Sequence, residues 1–164
     1  MQDLVAWLEG TRLAWAMTGG YPLLWPVCET LHFVGLALLF GITGLLDLRL
    51  MGVVKGIPVA RLQRLMPWAV AGFAINAITG VLFFIGASAQ YVDNFAFWMK
   101  VLFIGLAGLN VLLFYVTGLA RTANALGAGD DPPPAARVVG AVSLLLWLGV
   151  MYWGRMLPFL GNAF

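Results

Sequence analysis

The sequence predicts an all-α membrane protein, a bundle of four transmembrane helices preceded by a helix at the membrane interface. Of its 164 residues, 62% are hydrophobic and only 10% are charged, and the mean hydropathy is +0.95. These values exclude an ordinary soluble fold and a disordered chain. Four apolar segments have the roughly 20 residues that a helix needs to cross about 30 Å of hydrocarbon. This length predicts a single membrane domain, residues 1–164.

We place the four spans near residues 27–46, 66–87, 98–118 and 138–157. Pro26 and Pro67 suit the first turns of spans one and two, where the missing N–H of proline costs no hydrogen bond. The prolines at 132–134 follow glycines and aspartates, which predicts a linker before span four.

The first 17 residues differ from the spans because they are short and carry charges. Residues 3–17 place Leu4, Trp7 and Trp15 among Asp3, Glu9 and Arg12. This pattern is typical of a helix that lies at the interface, with its Trp rings at the level of the lipid headgroups.

The connections between the spans predict the orientation. The loops after spans one and three hold six basic residues, whereas the N-terminal stretch holds one and the connection 88–97 holds none. Because basic loops stay in the cytoplasm, we expect a multi-pass membrane protein with both basic loops in the cytoplasm and both termini outside. The basic residues serve topology, so the expected partner is the lipid bilayer and not a nucleic acid.

Four ionisable residues lie inside the predicted spans: Glu29, His32, Lys100 and Arg155. A charge at the bilayer centre costs about 2.5–3.5 kcal/mol or more, so each needs a physical reason. The predicted topology places all four in the outer third of the membrane. Glu29 and His32 share a helix face, since they are three residues apart.

The functional interpretation is a polar pocket that opens to the periplasm. We expect Glu29 to hydrogen-bond His32 and leave the other ring nitrogen free, while Lys100 and Arg155 hold an anionic group. A structural alternative stays open, in which Glu29 pairs with Lys100 or Arg155 and His32 is an interhelical donor.

The residue types restrict the cofactor. His32 is the only histidine, so one chain cannot supply two imidazoles to a haem. Haem b, a porphyrin or a quinone remains compatible with a single His32 ligand or hydrogen-bond partner. Copper is a further alternative, since Cys28 and several methionines lie at the depth of His32.

Other polar residues have structural interpretations. Asn76 and Asn110 fall near the middle of the membrane, where interhelical hydrogen bonds or the inner lining of the cofactor pocket would explain them. A stripe of small and polar residues that includes Asn76 runs along span two from Gly72 to Phe83. Asp47 and Arg49 close span one, where we expect them to pair, bind headgroups or remain solvated.

Several of these residues belong to a series of motifs along the chain. In order, they are Trp25-Pro-Val-Cys-Glu-Thr-Leu-His32, Gly35, Gly41, Asp47-Leu-Arg-Leu, Phe97-Trp-Met-Lys100 and Asn110. The pattern resembles a widespread group of uncharacterised bacterial inner-membrane proteins, over about 100 residues. More distantly, an early His and a later Lys resemble the J-type protoporphyrinogen oxidase and the membrane domain of copper-resistance D proteins. The distant resemblance implies that His32 ligates haem or metal and that Lys100 meets carboxylates. The absence of a second His departs from the oxidase pattern.

The leading hypothesis is therefore a redox-linked membrane protein that binds haem b, a porphyrin or a quinone through His32. One alternative is an accessory subunit of a larger electron-transfer or photosynthetic complex, or a homo-oligomer. Another is a copper-handling protein. The sequence contains no nucleophile–base pair, phosphate loop or paired carboxylates, so it assigns no catalytic residue and leaves enzymatic activity open.

Overall fold

Four long helices dominate the structure, a computed structural model that describes residues 2–160. They are all long and apolar enough to cross a membrane. The helices are α1 (Gln2–Glu9), α2 (Arg12–Trp15), α3 (Leu24–Met51), α4 (Val59–Gln63), α5 (Met66–Gly86), α6 (Ser88–Val92), α7 (Phe95–Val116), α8 (Leu119–Asn124) and α9 (Pro134–Met156). The predicted all-α class and the four spans are confirmed.

The observed spans differ from the prediction mainly at their ends. α3 has 28 residues, or about 42 Å at 1.5 Å per residue, so it is longer than the hydrocarbon core. The hydropathy pattern stops at its charged residues, but the helix continues past them. Pro26 lies in the first turn of α3, and Pro67 lies in the first turn of α5, as predicted.

The predicted helix at residues 3–17 is broken in two. α1 ends at Glu9, and Thr11 caps α2 by accepting a hydrogen bond from the N–H of Ala14 at 3.2 Å. One π-helical turn, Ala16–Gly20, continues α2. Trp7 and Trp15 are exposed, as expected of an interfacial segment, whereas Met17 is buried beside Gly86 of α5.

α3 and α9 are the central helices. α3 packs against both α5 and α9, and α7 packs against α9. Glycines allow close approach: a Cβ on Gly72 of α5 would lie 2.6 Å from the carbonyl oxygen of Gly35 on α3. Gly140 similarly meets the backbone of Asp47 across the α3–α9 contact. The stripe predicted along span two therefore faces α3.

The two ends of the bundle have different character. We call one the His32 end, which carries residues 2–23, 87–94 and 157–160. The other is the Arg49 end, which carries the loops 52–58 and 117–133. A hydrophobic cluster joins α3, α4, α7, α8 and α9 at the Arg49 end, and it includes Leu50, Val59 and Phe114.

Candidate cofactor site at the His32 end

His32 projects from α3 toward α5 and is partly buried. Its Nδ1 lies 2.7 Å from the hydroxyl oxygen of Thr79. That hydroxyl donates its only proton to the backbone carbonyl of Ile75 at 2.7 Å. With its proton on that carbonyl, Thr79 accepts a hydrogen bond from Nδ1–H of His32. In this tautomer the lone pair of the imidazole is on Nε2, which has no hydrogen-bond partner in the described part of the chain.

Aromatic side chains surround the imidazole on the outer side. The ring of Phe83 meets that of His32 edge-on, with 5.7 Å between centroids, and Trp25 meets Phe83 at 5.0 Å. Gly80 lies across from Cε1 of His32, so α5 presents no side chain there. These groups cover part of the imidazole, which stays partly exposed.

Lys100 lies on α7 and packs against α9. Its aliphatic chain lies against Gly154 of α9, where a Cβ would come within 3.6 Å of Nζ. That Lys100 shares a site with His32 stays a prediction.

Glu29 does not bind His32, so that prediction is wrong. Its carboxylate is exposed and accepts a hydrogen bond from Nε1 of Trp25 at 3.1 Å. Thr79 fixes the tautomer instead. Burial first, and then the negative charge of Glu29, raise the pKa of the nearby Tyr91.

Arg155 also lies apart from His32. Its guanidinium is exposed and is 5.1 Å from the ring centroid of Phe159, a cation–π contact. Among residues 2–160, the ion pairs link Asp131 to Lys55 and Arg137. Of the structural alternative, the pairing of Glu29 with Lys100 or Arg155 is therefore wrong in this structure, whereas its other part, His32 as an interhelical donor, agrees with the bond to Thr79.

The two asparagines occupy different places. Asn76 lies one turn below Thr79 and donates to the carbonyl of Gly72 at 3.0 Å, where its amide packs against Gly35. Asn110 lies in the Arg49 half and donates to the carbonyl of Val139 on α9 at 3.2 Å. Only Asn76 is near His32, and Asn110 does not contribute to that site.

A groove of about 440 Å³ opens at the His32 end, between the π turn and the end of α5. Met17, Tyr21, Trp25 and Gly86 contribute to its walls. His32 is not among its lining residues; the wall residue nearest to it in the chain of ring contacts is Trp25, which packs on Phe83, and Phe83 packs on His32. Its volume falls in the range of small-molecule pockets.

Sequence reasoning misjudged Asp47 and Arg49, which are both buried, with 5% and 0% of their surface exposed. Arg49 donates from Nε to the carbonyl of Ile57 and from Nη2 to that of Gly127, both at 2.7 Å. It thereby connects the two loops of the Arg49 end. The two charged residues neither pair with each other nor face solvent, because residues two apart lie on opposite sides of a helix.

Imidazole, thiol and carboxylate groups do not gather into a metal site in the described part of the chain. Among residues 2–160 there is no cluster of three or more His, Cys, Asp or Glu side chains that could hold a metal ion. Cys28 is buried one turn before His32. Comparisons with protein-family models, with curated proteins and with solved structures gave no match to this chain.

Proposed function

We propose that this chain is a redox-linked protein of the bacterial inner membrane that binds haem b, a porphyrin or a quinone at the His32 end. One observation carries the proposal: the Thr79 hydroxyl lies 2.7 Å from Nδ1 of His32 and also 2.7 Å from the carbonyl of Ile75, which favours the tautomer that has its lone pair on Nε2. That is the state in which an imidazole ligates iron or accepts a proton from a quinol. An ionisable residue kept inside a membrane span also favours a functional role.

The residues around His32 fit such a cofactor in chemical type. Lys100 supplies a cation that would bind a propionate or a quinone oxygen. Phe83 and Trp25 exclude water and offer aromatic faces to a planar ring. A bound haem or quinone would supply the electron-carrying chemistry, while the chain supplies the ligand atom, the counter-charge and the apolar surroundings. Glu29 and Arg155, which contact Trp25 and Phe159, have no part in this proposal.

The orientation is part of the proposal. Six of the nine basic residues belong to the Arg49 end or its loops, and three, Arg12, Lys100 and Arg155, belong to the His32 end. This asymmetry supports a cytoplasmic Arg49 end and a periplasmic site at His32.

The test is an absorption spectrum of protein purified from bacterial membranes, with quinone extraction from the same sample. A Soret band, or about one quinone per chain, is expected. His32→Ala should remove either signal while the helical circular dichroism remains. Thr79→Val should keep the cofactor but change its band position or potential, because it frees the imidazole to rotate.

Glu29→Gln is the matched control, since Glu29 lies one turn before His32 on the same helix but contacts Trp25 instead. It should leave cofactor content near that of the wild type. A wild-type protein that carries neither haem, porphyrin nor quinone would refute the proposal, and so would a His32→Ala protein with undiminished content.

A second candidate is an accessory subunit or a homo-oligomer, and the outer surface of α7 favours it. Gly105 and Gly108 of this helix are exposed, and a Cβ on either would meet no atom within 4 Å. Small residues on a lipid-facing helix often mark contacts with another helix. Copurification of a partner chain, or cross-linking through Cys at Gly108, tests this candidate.

A further inference from the structure

A small cavity lies between α3, α7 and α9 in the Arg49 half, apart from the His32 site, and its mostly apolar wall carries several polar side chains. Its volume is about 50 Å³. Five polar side chains that line it are all at least nine-tenths buried: Thr43, Asp47, Asn110, Ser143 and Trp147. Such a concentration of polar groups inside an apolar bundle requires partners for every one of them.

Two of the five side chains have an atom without a partner. Thr43 donates to the carbonyl of Leu39 at 2.7 Å, and the amide of Asn110 donates to α9. Oδ2 of Asp47 and Nε1 of Trp147 have no hydrogen-bond partner. One is an acceptor and the other a donor, and both residues line the same cavity.

We propose that this cavity is a water-holding site that lets the carboxyl group of Asp47 exchange its proton. A water molecule can accept a hydrogen bond from the indole N–H of Trp147 and donate one to the carboxyl oxygen of Asp47. Water alone can therefore satisfy both of the unpartnered atoms. A buried water needs about 10–15 Å³ of such volume, so the cavity has room for about three.

The chemistry of the walls favours water over a metal cation. The indole N–H of Trp147 is a donor only and repels a cation. Asp47 forms no ion pair within the described residues: Nε and Nη2 of Arg49 donate to backbone carbonyls of the two loops, and its Nη1 is buried without a hydrogen-bond partner.

The other titratable groups near Asp47 are few. On α3 the neighbouring charged residue is Arg49. On α7 the neighbouring titratable group is the phenol of Tyr115, which is neutral and donates to Gln63 at 3.2 Å. The lining residues of α9, Ser143 and Trp147 among them, and Met66 of α5 carry no ionisable group. Water is therefore the route by which Asp47 exchanges protons. This inference does not depend on a cofactor at His32.

The first measurement is the indole proton of Trp147 by nuclear magnetic resonance, in protein labelled with ¹⁵N-tryptophan. The chain has seven Trp, and Trp147→Phe identifies the signal by its loss. We expect a cross-peak between this buried indole proton and water in the wild type and in Asp47→Asn. Asp47→Leu, which fills the cavity with apolar atoms, should abolish it.

The second measurement is infrared spectroscopy at a pH low enough to protonate carboxyl groups. The band of Asp47 is the one missing from Asp47→Asn, and it should shift to lower frequency soon after transfer to D₂O. A wild-type indole without a water cross-peak, or a carboxyl band that stays unshifted in D₂O, would overturn the proposal. Both wild-type results stand even where Asp47→Leu fails to fold.

Discussion

Gly72→Ala should separate α3 from α5 and destabilise the bundle. The added Cβ would lie 2.6 Å from the carbonyl oxygen of Gly35 and 2.9 Å from the backbone N of Leu39. Backbone atoms cannot move aside as a flexible side chain can. Restoring an ordinary contact of 3.4 Å requires the helices to part by about 0.8 Å. Overpacking of this kind costs about 1–3 kcal/mol.

The assay is unfolding in detergent, followed by circular dichroism and compared with Gly41→Ala. Gly41 lies on the same helix as Gly35, but a Cβ there meets no atom within 4 Å. The control should be neutral or gain up to about 1 kcal/mol from the better helix propensity of alanine. Since the same separation pulls Thr79 away from His32, Gly72→Ala should also weaken any cofactor signal. Equal stability of the two variants would refute the close α3–α5 contact.

The Arg49 end offers three further tests. Arg49→Met removes a fully buried guanidinium and the hydrogen bonds that hold two loops. The free energy of unfolding should fall by about 3 kcal/mol, and a protease should cut residues 125–133 more readily. Unchanged digestion would contradict this role of Arg49. Lys55, first by hydrogen bond and then by charge, lowers the pKa of the exposed Asp131. The ion pair therefore stabilises the fold fully at pH values above the ordinary pKa of a carboxyl group. This stabilisation is lost as the pH falls through the lowered pKa of Asp131. Asp131→Asn should therefore melt slightly below wild type at pH 7, with a difference that shrinks in high salt and disappears in acid; a difference that persists at acid pH would exclude the ion pair. Cys at Asp93 should react with an impermeant thiol reagent added outside cells, and Cys at Gly56 should not, whereas the reverse pattern would invert the proposed orientation.

The candidate site was only partly predictable. His32 and Lys100 are exceptional by their position in apolar segments, and the structure gives each a neighbour on another helix: Thr79 for His32 and Gly154 for Lys100. The spacing of three residues on one helix predicts Glu29 as the hydrogen-bond partner of His32. The actual partner, Thr79, is 47 residues away. A local spacing rule cannot find such a partner, because the rotation of α5 against α3 decides it.

The sequence by itself determined the number of spans, their approximate limits and the helical class. These properties are local: a membrane span must satisfy its backbone within its own segment, so hydropathy and length reveal it. Only the tertiary structure decided which polar atoms meet. Asp47 and Arg49 are only two residues apart in the sequence. Even so, α9 covers Asp47, and two loops cover Arg49. Their environments depend on helix crossings that glycines such as Gly72 and Gly140 permit, and those crossings join segments that lie far apart in the chain.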